Sequence, residues 1–405
     1  MEGIDRLGSA FRGLEVLRSP VFILRRASVA LVVVGACMAL GVGLARAAQV
    51  SFSETSSILL CDGTPECGTG TVSTNPAGGA LADLTGHGSR DLVIAQPVGV
   101  AVMLNEGAGV FSDPQLVAGS PAPATDIAAG YLRGQGLTDV VVGTTNGISV
   151  MRSDRHGGLE PEQSIDLGGS ATDINIVSLN SHGQPDIVAL VQTDSGGSYV
   201  AVLLNQGGGR FSAPLQINTG GDPTSLAVAD MNHDGIPDLI ASDSTYISVL
   251  LGEGSGRFAP PRQTALSPLA AGGEICIGDL NGDGNLDALV GGYLYPGDGK
   301  GDLGSPLFVF DAGRGESVDA LGDFNGDGHL DIATYDSVIL GNGDGTFQSP
   351  VAIPSPGVPP RVGPDQLLAN DLNDDGRPDL IRLEHFHESG RPFVGNVDVL
   401  INTTP

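Results

Sequence analysis

The sequence contains no Trp, and only six Tyr and 12 Phe among 405 residues. Sugar rings stack on aromatic faces, and Trp and Tyr are common anchors of protein interfaces. Their scarcity counts against an aromatic-lined glycan groove and against an ordinary aromatic hot spot. Positive charge is also sparse: 19 Lys and Arg stand against 47 Asp and Glu, a formal net charge of −28. Such a surface repels phosphate backbones, which disfavours nucleic acid, and suits cations or basic partners. Cysteine occurs four times. No Ser/His/Asp arrangement, Cys/His pair or phosphate-cradling loop stands out, so the chain reads as non-catalytic. The abundant Asp leaves one alternative, an acid pair serving a polysaccharide-active lyase or hydrolase.

Glycine and proline are plentiful, at 62 and 26 residues. That usage suits many short strands joined by tight turns better than long helices. The first 48 residues differ from the rest, with six Arg and three acidic residues, a net +3 that leaves −31 on the remainder. Arg25-Arg26 precedes an apolar run from Ala27 to Ala45, followed by Arg46-Ala47-Ala48. A basic region, an apolar region and a small-residue site predict a signal peptide over 1–47; a retained membrane anchor is the alternative. The expected location is therefore secreted or in the cell envelope, with membrane contact only if the segment is uncleaved. Cys61 and Cys67 flank a short turn-forming stretch, DGTPE, and in an exported chain are expected to be disulfide-bonded. Cys276 lies in an apolar run and is expected to be buried.

A nonapeptide recurs through residues 48–405. Four intact copies begin at Asp230 (DMNHDGIPD), Asp279 (DLNGDGNLD), Asp323 (DFNGDGHLD) and Asp371 (DLNDDGRPD). Three degenerate copies begin at 83 (DLTGHGSRD), 131 (YLRGQGLTD) and 178 (SLNSHGQPD), and successive starts differ by 48, 47, 52, 49, 44 and 48. All seven keep Gly at position six and Asp at position nine. Around each copy lie short runs rich in Val, Ile and Leu, then a Gly-rich turn and a Phe-x-x-Pro element such as RFSAP or TFQSP. Four short strands per unit of about 48 residues predict an all-β, seven-bladed β-propeller of four-stranded blades. The last unit lacks a fourth strand. Residues 49–58 (QVSFSETSSI) resemble the missing piece, with Phe52 standing where Phe111, Phe211, Phe258 and Phe347 stand. They are expected to pair with Val397–Ile401 and close the ring, which removes two exposed sheet edges.

Crowded carboxylates repel one another unless a cation sits among them, and Ca²⁺ takes six to eight oxygens from Asp, Asn, carbonyls and water. The expected ligands are Asp230, Asn232, Asp234 and Asp238; Asp279, Asn281, Asp283 and Asp287; Asp323, Asn325, Asp327 and Asp331; and Asp371, Asn373, Asp375 and Asp379. A backbone carbonyl near position seven completes each set. These are not EF-hands: position twelve is Ala241, Val290, Thr334 or Arg382 rather than Glu. About four Ca²⁺ are expected, in blades four to seven. In blades one to three the donors are too few, and Gly and the last Asp are expected only to shape a turn. His385 and His387 alternate on one face of a strand, half of a zinc site at most; a long polar hairpin over Glu384–Pro392 is the plainer reading.

On the D-x-N-x-D-G-x-x-D loops at 230, 279, 323 and 371, and on turns such as Phe211–Pro214 and Phe347–Pro350, the chain resembles the FG-GAP/VCBS repeat family, akin to the integrin α head. The resemblance implies a calcium-binding propeller with its metal loops on one face and partner binding on the opposite face. It implies a binding or adhesion module for a protein or polysaccharide, expected here as a monomer.

Overall fold

The computed structural model describes residues 50–60, 77–134, 136, 138–180, 183–270, 273–311, 318–354, 366–386 and 394–404. Their strands form seven separate four-stranded antiparallel sheets, one per repeat. Blade 4 shows the pattern: Ser225–Ala229, Asp238–Ser242, Tyr246–Leu250 and Arg262–Ala265 pair in chain order. Blades 1, 2, 3, 5 and 6 begin with Gly78–Ala82, Ala124–Gly130, Gly169–Val177, Ile275–Gly278 and Val318–Gly322 and repeat that order. First strands of successive blades touch, and the first strand of blade 7, Gln366–Asn370, touches that of blade 1. The sheets therefore form a closed ring.

The burial pattern follows from that stacking. Second strands such as Asp91–Gln96 and Asp238–Ser242 are buried throughout. They lie between two neighbouring blades, so their apolar runs are continuous instead of alternating. Fourth strands lie on the rim; most are short and exposed, as at Gln115–Leu116 and Leu307–Phe308, whereas that of blade 2, Leu159–Asp166, runs eight residues. The core is accordingly divided among the blade interfaces. Seven apolar clusters occur among the described residues, each spanning one pair of adjacent blades. Position two of every nonapeptide enters these interfaces: Leu84, Leu132, Leu179, Met231, Leu280, Phe324 and Leu372 are all buried.

The ring closes as the sequence predicts, over a longer span. Phe52–Leu60 pairs antiparallel with Val394–Asn402, from Phe52 opposite Asn402 to Leu60 opposite Gly395. Ser51 accepts the Thr403 N–H at 2.8 Å, and Thr404 Oγ1 accepts the Ser51 N–H at 3.2 Å. The Phe52–Asn402 pair repeats the bridges Asn105–Phe111 and Asn205–Phe211. The N-terminal strand thus enters blade 7 in the register that the chain's own Phe turns use elsewhere. Residues 1–47 and Cys61 and Cys67 lie outside the described residues; Cys276 is buried in Ile275–Gly278, as expected.

Candidate metal centres

Each intact nonapeptide joins the first and second strands of its blade, and its side chains fold back onto its own backbone. In blade 6, Asp323 accepts the N–H of Gly326 at 2.7 Å and of Asp327 at 3.1 Å on one oxygen, and of Gly328 at 2.8 Å on the other. Asn325 Oδ1 accepts the Asp327 N–H at 2.8 Å, and Asp327 Oδ1 accepts the His329 N–H at 2.9 Å. Blades 4, 5 and 7 repeat this network through Asp230, Asn232 and Asp234; Asp279, Asn281 and Asp283; and Asp371, Asn373 and Asp375, save that the first Asp oxygen takes the position-five N–H in blades 4 and 7 and the position-four N–H in blade 5. The winding needs left-handed backbone at position six, where Gly328 has φ 87° and Gly376 φ 88°.

Position nine has a different environment. Asp238, Asp287, Asp331 and Asp379 are fully buried at the start of their second strands. One oxygen accepts the position-two N–H, from Met231, Leu280, Phe324 or Leu372, at 2.8–3.0 Å. The other accepts an N–H at or just after the end of the third strand, from Gly252, Gly297, Gly341 or Asn402, at 2.7–2.9 Å. Each carboxylate therefore ties its loop to two strands. Burial pushes Asp238, Asp287 and Asp379 up to about 6 and Asp331 up to about 7, and the neighbouring Asp at positions five and one add to the rise. The two N–H bonds oppose it without overcoming it.

The same latch operates where the other donors are missing. Asp91 accepts from Leu84 at 3.0 Å and Asn105 at 2.9 Å, and Asp186 from Leu179 at 2.9 Å and Asn205 at 2.7 Å. This is why position nine persists in all seven repeats. Blade 2 departs from the pattern: Asp139 is gripped by the Arg133 guanidinium, Nε at 2.8 Å and Nη2 at 2.5 Å.

In donor chemistry the four intact loops fit a hard divalent cation. Each gathers three carboxylates and an amide oxygen within nine residues, and oxygens that accept one N–H keep a further lone pair. Among the described residues no group of three or more His, Cys, Asp or Glu side chains closes on a common point. The loops thus present oxygen donors on a prefolded backbone without a finished cage. His387 and the tip of its hairpin lie outside the described residues; His385 falls in strand Asp379–Phe386.

Two features escape sequence reasoning. Side chains of first strands clasp the next blade: Asp126 accepts the Ile174 N–H at 2.8 Å, Asp173 that of Leu226 at 2.7 Å, Ser225 that of Ile275 at 3.2 Å, and Gln366 that of Gly79 at 2.5 Å. Each stands five residues before its nonapeptide, a register visible only once the repeats are aligned. Across the ring from the metal loops, the turn and linker side of blades 4 and 5 exposes Tyr246, Leu269 and Phe308, at 39%, 81% and 63%. Phe308 stands edge-on to Tyr293 at 5.5 Å.

Residues 179–241, 230–290 and 323–381 match the family model described as FG-GAP-like repeat. No curated protein matches the sequence. Among solved structures, an Agrocybe aegerita lectin, studied for its recognition of non-reducing terminal N-acetylglucosamine, is 22% identical with a TM-score of 0.55, covering 70% of this chain and 80% of its own. BBS1N, in its complex with ARL6DN, is 14% identical with a TM-score of 0.51, covering 88% of this chain and 98% of its own. At these identities both likenesses concern the fold alone.

Proposed function

The chain is an FG-GAP-repeat β-propeller, and from that premise we propose that it is an exported, calcium-loaded, non-catalytic binding module for a protein or polysaccharide at the cell envelope or outside the cell. The observation that carries the reading is the winding common to the four intact loops, in which the position-three amide oxygen accepts the position-five N–H and the position-five carboxylate accepts the position-seven N–H, so that donors at positions one, three, five and nine line one loop. Calcium held there would offset two of the three carboxylate charges in each loop and cross-link loop to strand. It would also stabilise the ring, because an unfolded chain cannot hold it.

Export is supported by the basic-apolar-small order of residues 1–48 and by the use of Phe52, close behind it, as the first residue of the closing strand. The partner side is the face of Tyr246, Leu269 and Phe308, away from the metal loops. The test incubates the chain with matrix proteins, polysaccharides and N-acetylglucosamine-terminated glycans, in calcium and in EDTA, scoring both retention and cleavage. Calcium-dependent retention without cleavage is the expected result. Cleavage of any polysaccharide would replace the reading with a lyase or hydrolase.

A further inference from the structure

Blade 2 carries the least calcium-like nonapeptide, YLRGQGLTD, yet its ninth residue, Asp139, is as buried as its counterparts, at 2% exposure. We propose that Arg133 is a tethered counter-ion, a covalently attached cation that does in blade 2 what a divalent ion does in blades 4–7. The proposal rests on the calcium reading of those blades.

Five observations carry it. Arg133 occupies position three of the repeat, where the intact loops have Asn. Its guanidinium meets Asp139 as a two-pronged fork, Nε on one oxygen at 2.8 Å and Nη2 on the other at 2.5 Å, with a further contact from Nη2 to the Ser153 carbonyl at 3.5 Å. A fork on a carboxylate is the strongest pairing a protein cation makes.

The loop has also rearranged to admit it. In the other six blades the position-two N–H goes to the buried Asp; in blade 2 the Leu132 N–H turns to the Gly130 carbonyl at 3.0 Å. The remaining backbone bond to Asp139, from Ser153, lengthens to 3.3 Å. The guanidinium has taken over the latch.

The stem lies where a ligand side chain lies in an intact loop. A Cβ added to Gly209, in the blade 3 turn, would stand 3.1 Å from Arg133 Cγ. In blade 6, Gly345 holds the equivalent place two residues before the turn Phe, and its Cβ would stand 3.4 Å from Cβ of Asn281, position three of blade 5. The next blade therefore lids position three in both cases. The charge follows suit. Positions one, three, five and nine of blade 2 hold one carboxylate and one guanidinium and sum to zero, where each intact loop holds three carboxylates. Blade 2 needs no dissolved cation.

The test measures calcium stoichiometry by titration calorimetry, and thermal unfolding in calcium and in EDTA, on the full chain and three variants. Arg133→Met keeps the stem against Gly209 and removes the charge. It is expected to lower Tm by about 3 °C or more, equally in calcium and in EDTA, with unchanged stoichiometry. Arg133→Lys, a point charge without the fork, should recover part of that loss. Asn281→Arg moves the counter-ion into blade 5: stoichiometry should fall by one and the Tm lost on adding EDTA should shrink. An Arg133→Met chain with wild-type Tm in EDTA overturns the proposal. So does an Asn281→Arg chain that binds the wild-type number of ions. If the wild type binds no calcium, the calcium reading of blades 4–7 fails by itself, and the Arg133 series in EDTA still decides whether this charge holds blade 2.

Discussion

Replacing Asp331 by Asn separates two duties that one residue performs. Asp331 accepts the Phe324 and Gly341 N–H groups, both at 2.9 Å and both buried. An amide keeps one of these bonds and turns its NH₂ toward the other donor. One hydrogen bond to a charged group is lost and one buried N–H is stranded, each worth about 1.5–3 kcal/mol. Relief of a carboxylate that burial has already pushed up to about 7 offsets part of this. The expected net cost in EDTA is about 2–3 kcal/mol. On the proposed calcium reading the substitution also removes a ligand in calcium, and a tenfold weaker site adds about 1.4 kcal/mol. Asp186→Asn is the control, since Asp186 makes the same latch at 2.9 and 2.7 Å in a loop whose positions one and five are Ser178 and His182. Its cost should be the same in calcium and in EDTA. The assay is denaturant unfolding of both variants and wild type under the two conditions. An Asp331→Asn chain as stable as wild type in EDTA refutes the latch. Equal calcium-independence of the two variants refutes the ligand role of position nine.

Three further outcomes are expected. Because the folded pKa of Asp238, Asp287, Asp331 and Asp379 lies above the ordinary 3.8, the metal-free fold binds more protons than the unfolded chain, so stability in EDTA falls as pH rises from about 4 to about 7. On the proposed reading calcium competes with those protons, so its stabilisation should grow across the same window; melting curves from pH 4.5 to 8 with and without the ion check both slopes. Gly282→Ala and Gly326→Ala both force Ala to a φ near +75° (73° and 76°), but only at Gly282 does the new Cβ approach backbone, at 2.3 Å from the Gly343 carbonyl oxygen. Gly326→Ala should cost about 1–2 kcal/mol and Gly282→Ala clearly more, read from the difference in unfolding free energy. Arg382 is fully buried, donates to the Tyr335 carbonyl at 3.0 Å and the Pro354 carbonyl at 2.6 Å, and lies 3.8 Å from the equally buried Asp398. Arg382→Met leaves that carboxylate uncompensated and should cost about 3–5 kcal/mol, with Asp398→Asn recovering part in the double variant.

The ring was legible because its repeat is written in residues that geometry cannot exchange: Gly at position six for the left-handed turn, and Asp at position nine for the latch. The closing strand was legible through Phe52, whose pairing with Asn402 repeats that of Phe111 with Asn105. The meaning of position nine was less so. Sequence shows an acid in a cluster of acids and suggests a ligand; only the structure shows its two oxygens tied to strands, which explains its presence in loops that lack the other donors. Arg133 was readable as a residue that cannot ligate calcium, but its fork on Asp139 needs a coordinate frame. The clasps of Asp126 and Asp173 were hidden because bulges in their strands displace them from simple alternation.

The closure in blade 7 has a mechanical consequence. Ser51 and Thr403 are joined at one end of an antiparallel pair, so the described chain begins and ends side by side on the ring. A load pulling those ends apart would open Phe52–Leu60 from Val394–Asn402 one hydrogen-bonded pair at a time, like a zip, and little force is needed when bonds fail singly. A load running from one chain end to the face of Tyr246 and Phe308 crosses the ring instead, where the clasps and apolar interfaces share it. If the proposed partner sits on that face, the propeller should yield more readily to tension between its own ends than to tension between one end and the partner.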